Sequence, residues 1–174
     1  MKIREYKRED LFSVSKIHVD TWKSTYKKIV PEEFLNNLTY EKQNEKWLNR
    51  LFNNGNTNEF MYVAENEFGE VVGFSTAALN DKDCKIHSTL FTLYILKECQ
   101  NRGIGRLLVK TVAARLKSLG AESIVLWAFA ENNACNFYEH LGGSQADKNV
   151  VNIAGVDLVE VSYQWEDINS LADL

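Results

Sequence analysis

Near the middle of the chain, residues 93–108 read Leu-Tyr-Ile-Leu-Lys-Glu-Cys-Gln-Asn-Arg-Gly-Ile-Gly-Arg-Leu-Leu. An apolar segment leads into a polar loop, and the loop opens a long amphipathic helix. Gly103 and Gly105 leave the backbone bare where that helix begins, and Arg102 and Arg106 flank them. Unpaired N–H groups at a helix N-terminus attract anions, and arginine suits phosphate. The stretch therefore predicts a strand, a loop and a helix, with a phosphate or pyrophosphate site at residues 100–106.

Two common nucleotide-binding signatures do not fit this loop. A dinucleotide-binding fold requires G-x-G-x-x-G, and its third glycine position is Leu108 here. A P-loop requires G-x-x-x-x-G-K followed by Ser or Thr, and the chain contains no such run. On spacing alone, a glycine-containing loop with solvated arginines is the alternative to a phosphate site.

Helical and strand patterns alternate on both sides of this unit, which indicates a layered α/β domain. Helices are predicted to begin near residues 10, 31, 40, 103 and 132. Strands are predicted at residues 2–6, 60–65, 71–78, 87–96, 123–130, 146–153 and 156–165. The nearly all-apolar segment 123–130 is typical of a strand that is covered on both faces. We assign residues 1–165 to a single domain and expect residues 166–174 to form a loose tail.

The composition excludes several classes of protein. The 174 residues include 45% hydrophobic and 25% charged side chains, which is typical of a globular protein. The net charge of −4 argues against a nucleic acid or an anionic membrane as partner. Cys84, Cys99 and Cys135 lie far apart, which favours reduced thiols over a metal site. Neither a secretory signal nor an apolar run of about 20 residues is present, so we expect a cytoplasmic protein.

Two motifs resemble those of a known family. The pattern Gln100-x-x-Gly103-x-Gly105, placed after the strand end at residues 93–95, resembles the acetyl-CoA signature of the GNAT superfamily of N-acetyltransferases. Residues 137–143 (FYEHLGG) resemble the second conserved block of that superfamily. The order of predicted elements from Lys2 to Trp165 also fits, so the resemblance covers nearly the whole chain.

The resemblance implies a mixed, mostly antiparallel sheet of about seven strands that is flanked by helices and splayed between strands 4 and 5. It implies that the pantetheine arm of acetyl-CoA lies in this gap, held by the backbone of Leu93, Tyr94 and Ile95. A backbone N–H near Ile95 would polarise the thioester carbonyl. Acetyl-CoA is then the cosubstrate, and no metal is expected. The remaining coenzyme-binding residues that the resemblance implies are Gln100, Asn101, Arg102, Gly103, Ile104, Gly105 and Arg106.

Candidate catalytic residues follow from the second motif. Tyr138 matches the tyrosine that many GNAT enzymes place beside the coenzyme sulfur, where a phenol can protonate the leaving thiolate; a core tyrosine is the alternative. Many members carry an asparagine seven residues before this tyrosine, and that position is Glu131 here. Either Asn132 contacts the pantetheine instead, or it caps the next helix. Glu131 is the first candidate base for the amine proton, ahead of His18 and His87.

The acceptor side is less clearly marked in the sequence. The resemblance implies a substrate pocket that includes Trp22 and Tyr26, whose rings would suit a cationic amine. Their i, i+4 spacing also fits simple packing of one ring on the other.

We therefore expect an acetyltransferase that acts on a small-molecule amine. Two alternatives stay open: an N-acetyltransferase of protein N-termini or lysines, and a non-catalytic acyl-CoA sensor. A homodimer is also consistent with the last strand, whose alternating residues present either a core face or an interface. That face consists of Val159, Val161, Tyr163 and Trp165.

Overall fold

A computed structural model describes residues 1–53, 58–80 and 87–174, and Cys84 lies outside these ranges. Within them, seven strands form one sheet in the order β1-β2-β3-β4-β5-β7-β6. Neighbouring strands are antiparallel except β4 and β5, which are parallel. The predicted mixed sheet is therefore confirmed. The strands are β1 (Lys2–Glu5), β2 (Glu59–Glu65), β3 (Val71–Asn80), β4 (His87–Ile95), β5 (Ser123–Phe129), β6 (Ser144–Ile153) and β7 (Val156–Trp165).

Helices cover both faces of this sheet. They are α1 (Leu11–Thr25), α2 (Glu32–Asn36), α3 (Tyr40–Leu48), α4 (Ile104–Ser118), α5 (Ala134–His140) and α6 (Asn169–Ala172). Short 3-10 turns precede α1 at Arg8–Asp10 and α4 at Lys97–Cys99, and a π-helical turn extends α3 over Asn49–Asn53. None of the helices in the described ranges is long and apolar enough to cross a membrane.

Alternation along the strands divides the core into two layers. On β2, Met61 and Val63 pack with α1 and α3, whereas Tyr62 and Ala64 point to the opposite side, where they pack with residues of α4. Successive side chains of a strand point to opposite faces, so each face needs its own helical cover. Burying one such aliphatic side chain contributes roughly 1.5–3 kcal/mol. Strands β4 and β5 lie in the interior of this sheet.

The C-terminal residues are packed, so the prediction of a loose tail at residues 166–174 is wrong. Ile168 and Leu171 are buried in the main core, and α6 packs against α4. The Lys110 ammonium also donates a hydrogen bond to the backbone oxygen of Leu174. The segment is short and polar in composition, but its apolar residues fall on one side of a single helical turn.

The structure also changes one expectation about β5 and one about β7. Strand β5 is not covered on both faces, because the indole of Trp127 is 41% exposed. On β7, Val161, Tyr163 and Trp165 are buried in the main core, which favours the core alternative for that face. Val159 alone among the four predicted residues stays exposed. The alternating face of β7 therefore belongs to the core except at Val159.

Candidate active site

The sheet opens between β4 and β5. Their parallel pairing covers only His87–Thr89 against Ser123–Val125. Just beyond this point β4 contains a bulge, since Thr76 faces Thr92 while Ala77 faces Leu90 and the intervening Phe91 has no opposite residue. A bulge bends its strand and increases the local twist. The two strands diverge from there, which confirms the predicted splay, and a cleft of about 620 Å³ opens beside their carboxyl ends.

The exposed edge of β4 carries unpaired backbone groups. The N–H of Leu96 donates to the carbonyl of Val72 on β3 at 3.0 Å. Because the backbone groups of successive residues alternate between the two edges of a strand, Leu93 and Ile95 direct theirs away from β3 and into the cleft. The Ile95 carbonyl accepts a hydrogen bond from Gln100 Nε2 at 3.1 Å, which ties the following loop to the strand end.

The N-terminus of α4 closes one end of the cleft. Asn101 and Gly103 have φ angles of 59° and 78°, so the loop turns through left-handed backbone before the helix starts. The helix begins its backbone ladder with the Leu107 N–H, which donates to the Gly103 carbonyl at 3.1 Å. The four amides from Gly103 to Arg106 therefore have no acceptor within the helix. They form a site suited to an anion.

Gly105 allows the helix tip to approach its neighbours. A Cβ at this position would lie 3.2 Å from Phe137 Cζ and 3.4 Å from Ile95 Cδ1. A side chain here would require the Phe137 ring to shift by a few tenths of an ångström, so glycine suits the close approach of α4 to α5.

Tyr138 projects from α5 into the cleft and is buried. Desolvation raises the pKa of its phenol, with smaller contributions from Tyr94 and Cys135, so the hydroxyl keeps its proton at neutral pH. Two side chains of β7 bind residues that follow Tyr138 and hold α5 in place. The Tyr163 hydroxyl donates to Glu139 Oε1 at 2.9 Å, and Trp165 Nε1 donates to the Leu141 carbonyl at 2.9 Å.

Asn132 is buried at the junction of β5 and α5. Its Oδ1 accepts a hydrogen bond from the Ala134 N–H at 2.9 Å, as a capping side chain does. Its Nδ2 donates to Tyr26 Oη at 3.3 Å. The neighbouring Glu131 is exposed and borders the cleft. The capping interaction is therefore present, and Asn132 also reaches the cleft lining.

Trp22 and Tyr26 pack against each other on the opposite wall, with ring centroids 4.9 Å apart. Trp22 Nε1 donates to Tyr94 Oη at 3.0 Å. Tyr26 lines the cleft, whereas Trp22 lies behind it. Burial raises the pKa of Tyr26, with smaller contributions from Tyr94 and Tyr138.

The structure brings together most residues predicted for the site. The exceptions are Trp22 and Arg102, and Arg102 borders a smaller cavity of about 220 Å³ with Met1 and Phe68. The alternative bases lie elsewhere. His18 is packed among the rings of Trp22, Trp47, Phe74 and Tyr94, and His87 binds Ser123 Oγ at the far end of β4. The predicted residues that line the cleft are Tyr26, Leu93, Tyr94, Ile95, Gln100, Asn101, Gly103, Ile104, Gly105, Arg106, Glu131, Asn132 and Tyr138.

Sequence reasoning did not identify Thr21, Phe91 and Trp127, which also line the cleft. The latter two rings are 44% and 41% exposed. Their exposure follows from the bulge and the splay, and no motif marks either residue. Trp127 lies two residues before the buried Phe129 on β5, so strand alternation assigns both to the same face and does not predict the exposure of Trp127. Among the described residues, no group of three or more His, Cys, Asp or Glu side chains is arranged to hold a metal ion.

Comparison with known proteins agrees with the resemblance found in the sequence. The model of the acetyltransferase (GNAT) family matches residues 18–143. The uncharacterized N-acetyltransferase YuaI of Bacillus subtilis strain 168 is 32% identical over 173 residues, covering 99% of this chain and 96% of YuaI.

Solved structures share the fold. The PaiA N-acetyltransferase of Thermoplasma acidophilum, in complex with coenzyme A, superposes with a TM-score of 0.71 at 22% identity, covering 94% of this chain and 98% of that one. A phosphinothricin acetyltransferase of Sinorhizobium meliloti, in complex with acetyl-CoA, gives a TM-score of 0.69 at 18% identity, covering 94% and 86%.

Proposed function

Because this chain belongs to the GNAT family of acetyltransferases, we propose that it transfers the acetyl group of acetyl-CoA to a primary amine of a small molecule. One observation carries the proposal: the gap between β4 and β5 ends at the bare N-terminus of α4. An extended pantetheine arm suits an open strand edge, and a pyrophosphate suits free helix amides. The solved relatives that hold coenzyme A or acetyl-CoA support the same assignment.

In this proposal, the backbone groups of Leu93 and Ile95 hold the pantetheine arm as an added strand, whereas those of Tyr94 between them face β3. The amides of residues 103–106 bind the pyrophosphate, and the guanidinium of Arg106 adds positive charge. Gln100 acts by fixing the loop to the Ile95 carbonyl. Asn101 and Arg102 shape the turn that precedes the helix.

The chemistry is an acyl transfer from sulfur to nitrogen. The neutral amine attacks the thioester carbonyl, a C–N bond forms, and the C–S bond breaks. The N–H of Ile95 is directed into the gap and would stabilise the oxyanion that develops on the carbonyl. Glu131, at the cleft edge, takes the proton of the amine directly or through water. Tyr138 donates its proton to the departing thiolate.

The state of Tyr138 supports this role. An acid must hold its proton before the reaction, and burial raises the pKa of Tyr138 so that it does. A raised pKa makes full proton transfer harder, but the same burial would raise the pKa of a thiolate in the gap. The higher pKa of the phenol and the higher pKa of the thiol therefore offset each other. A hydrogen bond from the phenol to the sulfur stabilises the leaving group throughout.

A small acceptor is supported by the aromatic lining of the cleft. Phe91 and Trp127 present exposed rings to it, and Tyr26 lies opposite. Such rings can hold the apolar body of an amine. Peptide and protein acceptors are tested beside small amines below.

We also propose a cytoplasmic location and a homodimer. Cys99 and Cys135 are free thiols, as is usual in a reducing compartment. Val150 and Val159 lie opposite each other on β6 and β7 and are both exposed, and a second copy would cover them. Light scattering coupled to size-exclusion chromatography checks the dimer, and a monomeric mass would contradict it.

The first experiment is a titration with acetyl-CoA followed by a panel of acceptors. Free thiol release is measured with small amines, amino acids, polyamines and short peptides. Saturable release with a small amine supports the proposal. Release only with peptides would instead identify a protein N-acetyltransferase. Binding without any release would favour a sensor, and no binding would contradict the coenzyme site itself.

A further inference from the structure

Two exposed aromatic side chains lie on opposite sides of the gap between β4 and β5. The parallel pairing of these strands ends with Thr89 opposite Val125. Continuing the same register by two residues brings Phe91 opposite Trp127, at the point where the strands diverge. Both side chains line the cleft, and they are 44% and 41% exposed. The closed end of the gap therefore carries one open aromatic surface on each strand.

Trp127 points to the side of the sheet that α1 covers. It lies two residues before Phe129 on β5, so the two side chains share a face. The Phe129 ring packs on that of Tyr26, from the segment that ends α1, with centroids 5.3 Å apart. Leu126 points the other way, into the core beneath α4. The indole therefore stands out of the plane of the sheet, on the α1 side of the gap.

Phe91 points to the same side. It is the extra residue of the bulge in β4, so strand alternation alone does not fix its direction. The guanidinium carbon of Arg50 lies over its ring, 5.3 Å from the centroid, and Arg50 Nε is bound to Glu59 Oε2 at 2.7 Å. Glu59 belongs to β2 and shares a face with Met61, which packs with α1 and α3. The contact with Arg50 therefore places the Phe91 ring on the α1 side.

Arg50 covers one face of the Phe91 ring and leaves the other face open. Strand β2 lies beyond β3 from β4, so a guanidinium held by Glu59 approaches Phe91 from the side away from β5. The opposite face of the ring is turned toward β5 and Trp127. Neither ring contacts another aromatic ring of the described residues. A space bordered by two aromatic side chains therefore remains between the strands.

A flat aromatic group is the ligand that this space fits best. Paired strands lie about 4.8 Å apart, and β4 and β5 separate beyond this spacing here. Aromatic rings attract each other at centroid distances of about 4.5–7 Å, in stacked or edge-to-face geometry, beyond the gain from burial alone. A saturated ring of the same carbon number is thicker and has no such attraction. Two aromatic walls therefore favour an aromatic guest.

The charges of the cleft favour an uncharged guest. The lining residues next to the two rings in sequence carry no charge, and they are Leu90, Thr92, Leu126 and Ala128. Lys97, Arg106 and Glu131 line the cleft beyond the carboxyl ends of β4 and β5. Arg50 is already paired with Glu59. An ionic group between the rings would lose its hydration without gaining a free counter-charge, which is unfavourable.

We propose that Phe91 and Trp127 form an aromatic clamp, which selects acceptor amines that carry a flat, uncharged aromatic ring. Leu90 and Leu126 belong to the core beneath α4, so the open side of the gap is the α1 side. A pantetheine arm in the plane of the sheet leaves that side to the acceptor. The clamp rests on the proposed function, because it concerns the acceptor half of the same cleft.

Calorimetry on the protein saturated with coenzyme A tests the clamp without turnover, since no acetyl group is present. The probes are 2-phenylethylamine, 2-cyclohexylethylamine and 1,4-diaminobutane. We expect 2-phenylethylamine to bind about tenfold more tightly than 2-cyclohexylethylamine, whereas burial of apolar surface alone would give no such preference. Equal or tighter binding of 2-cyclohexylethylamine would overturn the inference. Tighter binding of 1,4-diaminobutane, or no binding of 2-phenylethylamine, would also overturn it.

Variants connect the preference to the two rings. Phe91→Leu and Trp127→Leu should each reduce the preference for the aromatic amine to about twofold or less, whereas Trp127→Phe, which keeps a ring, should retain most of it. Phe12→Leu is the matched control, because Phe12 is 46% exposed under the ammonium of Lys16 and lies outside the cleft. A preference that persists in both leucine variants would contradict the clamp.

The acyl group of the coenzyme is the competing occupant of the clamp. Titration with acetyl-CoA and phenylacetyl-CoA distinguishes the two. If Phe91→Leu and Trp127→Leu weaken the binding of phenylacetyl-CoA relative to acetyl-CoA and leave the amine preference intact, the rings select the acyl group, and the proposed role is wrong.

Thiol release with acetyl-CoA is measured separately on the same proteins. Failure of every amine to release thiol would refute the proposed transfer, while calorimetry on the coenzyme A complex would still report on the clamp. Turnover without any preference for an aromatic amine would refute only the clamp. The two failures are therefore distinguishable.

Discussion

Tyr138 depends on its neighbours for its position. Its ring is buried beside those of Phe137 and Tyr163, with centroids at 5.5 and 5.7 Å. The bonds that hold its helix come from Glu139 and Leu141, which Tyr163 and Trp165 contact from β7. The phenol can therefore be removed with little change to the fold.

Tyr138→Phe should lower kcat about 100-fold, because general acid catalysis contributes at least that much. The Kd for acetyl-CoA should stay within about twofold, since no coenzyme-binding group is lost. Steady-state kinetics and calorimetry measure the two quantities. Tyr62→Phe, on β2 outside the cleft, serves as the control. An unchanged kcat in Tyr138→Phe would remove this residue from the mechanism.

Gly143 controls the contact between α5 and β7. A Cβ there would lie 2.6 Å from Trp165 Cζ2 and 3.0 Å from the Tyr138 carbonyl. We expect Gly143→Ala to lower the free energy of unfolding by about 3 kcal/mol, as overpacking does. Gly69→Ala is the control, because a Cβ at Gly69 would meet nothing within 4 Å, and only its positive φ of 81° opposes the substitution.

The control should cost only about 1 kcal/mol, from backbone strain. Chemical denaturation monitored by circular dichroism measures both variants. If Gly143→Ala proves no more destabilising than Gly69→Ala, Trp165 is free to move, and the proposed support of α5 by β7 is wrong.

At the scale of the element, a single negative charge added at the start of α4 should weaken the binding of acetyl-CoA. Gly103 precedes the helix with a φ of 78°, and a Cβ added to it would meet nothing within 4 Å. Asp and Asn both tolerate this backbone conformation and both cap helices well. The two side chains have the same size and differ in charge, so the two variants form a matched pair.

Gly103→Asp should weaken acetyl-CoA binding at least tenfold, because a carboxylate would repel the pyrophosphate at this helix end. Gly103→Asn, of the same size, should weaken it much less. Calorimetric titration with acetyl-CoA measures both. Equal affinities for the two variants would show that the phosphates bind elsewhere.

At the scale of the whole molecule, His18 couples stability to pH. It lies on α1 among aromatic rings, and Gln43 Nε2 approaches its Nδ1 at 3.4 Å. Desolvation, with smaller contributions from Lys46 and Arg50, lowers its pKa from 6.5 to about 4. The folded protein therefore holds His18 neutral over a range in which the unfolded chain protonates it.

Below pH 6.5 the unfolded state binds the extra proton, so stability falls as the pH decreases, and this contribution ends near pH 4. The difference between the two pKa values corresponds to about 3 kcal/mol. His18→Phe should flatten the decline of the unfolding free energy between pH 6.5 and 4. Urea denaturation at several pH values tests this, and parallel curves for the variant and the parent protein would contradict it.

The sequence by itself determined the order of elements, and its resemblance to the GNAT superfamily predicted the splayed sheet. The order of elements depends on local pattern: a strand, a loop with Gly103 and Gly105, and an amphipathic helix are contiguous in the chain. Local periodicity and turn residues are therefore enough to indicate them. The predicted tail failed because a single apolar turn, Ile168 to Leu171, is too short to show periodicity.

Only the tertiary structure decided the acceptor side. Trp22 and Tyr94 are 72 residues apart, and Tyr26 and Asn132 are 106 apart, yet hydrogen bonds join each pair. No spacing rule relates such residues, because they meet only when α1 packs over the gap between β4 and β5. Both hydrogen bonds therefore depend on that packing.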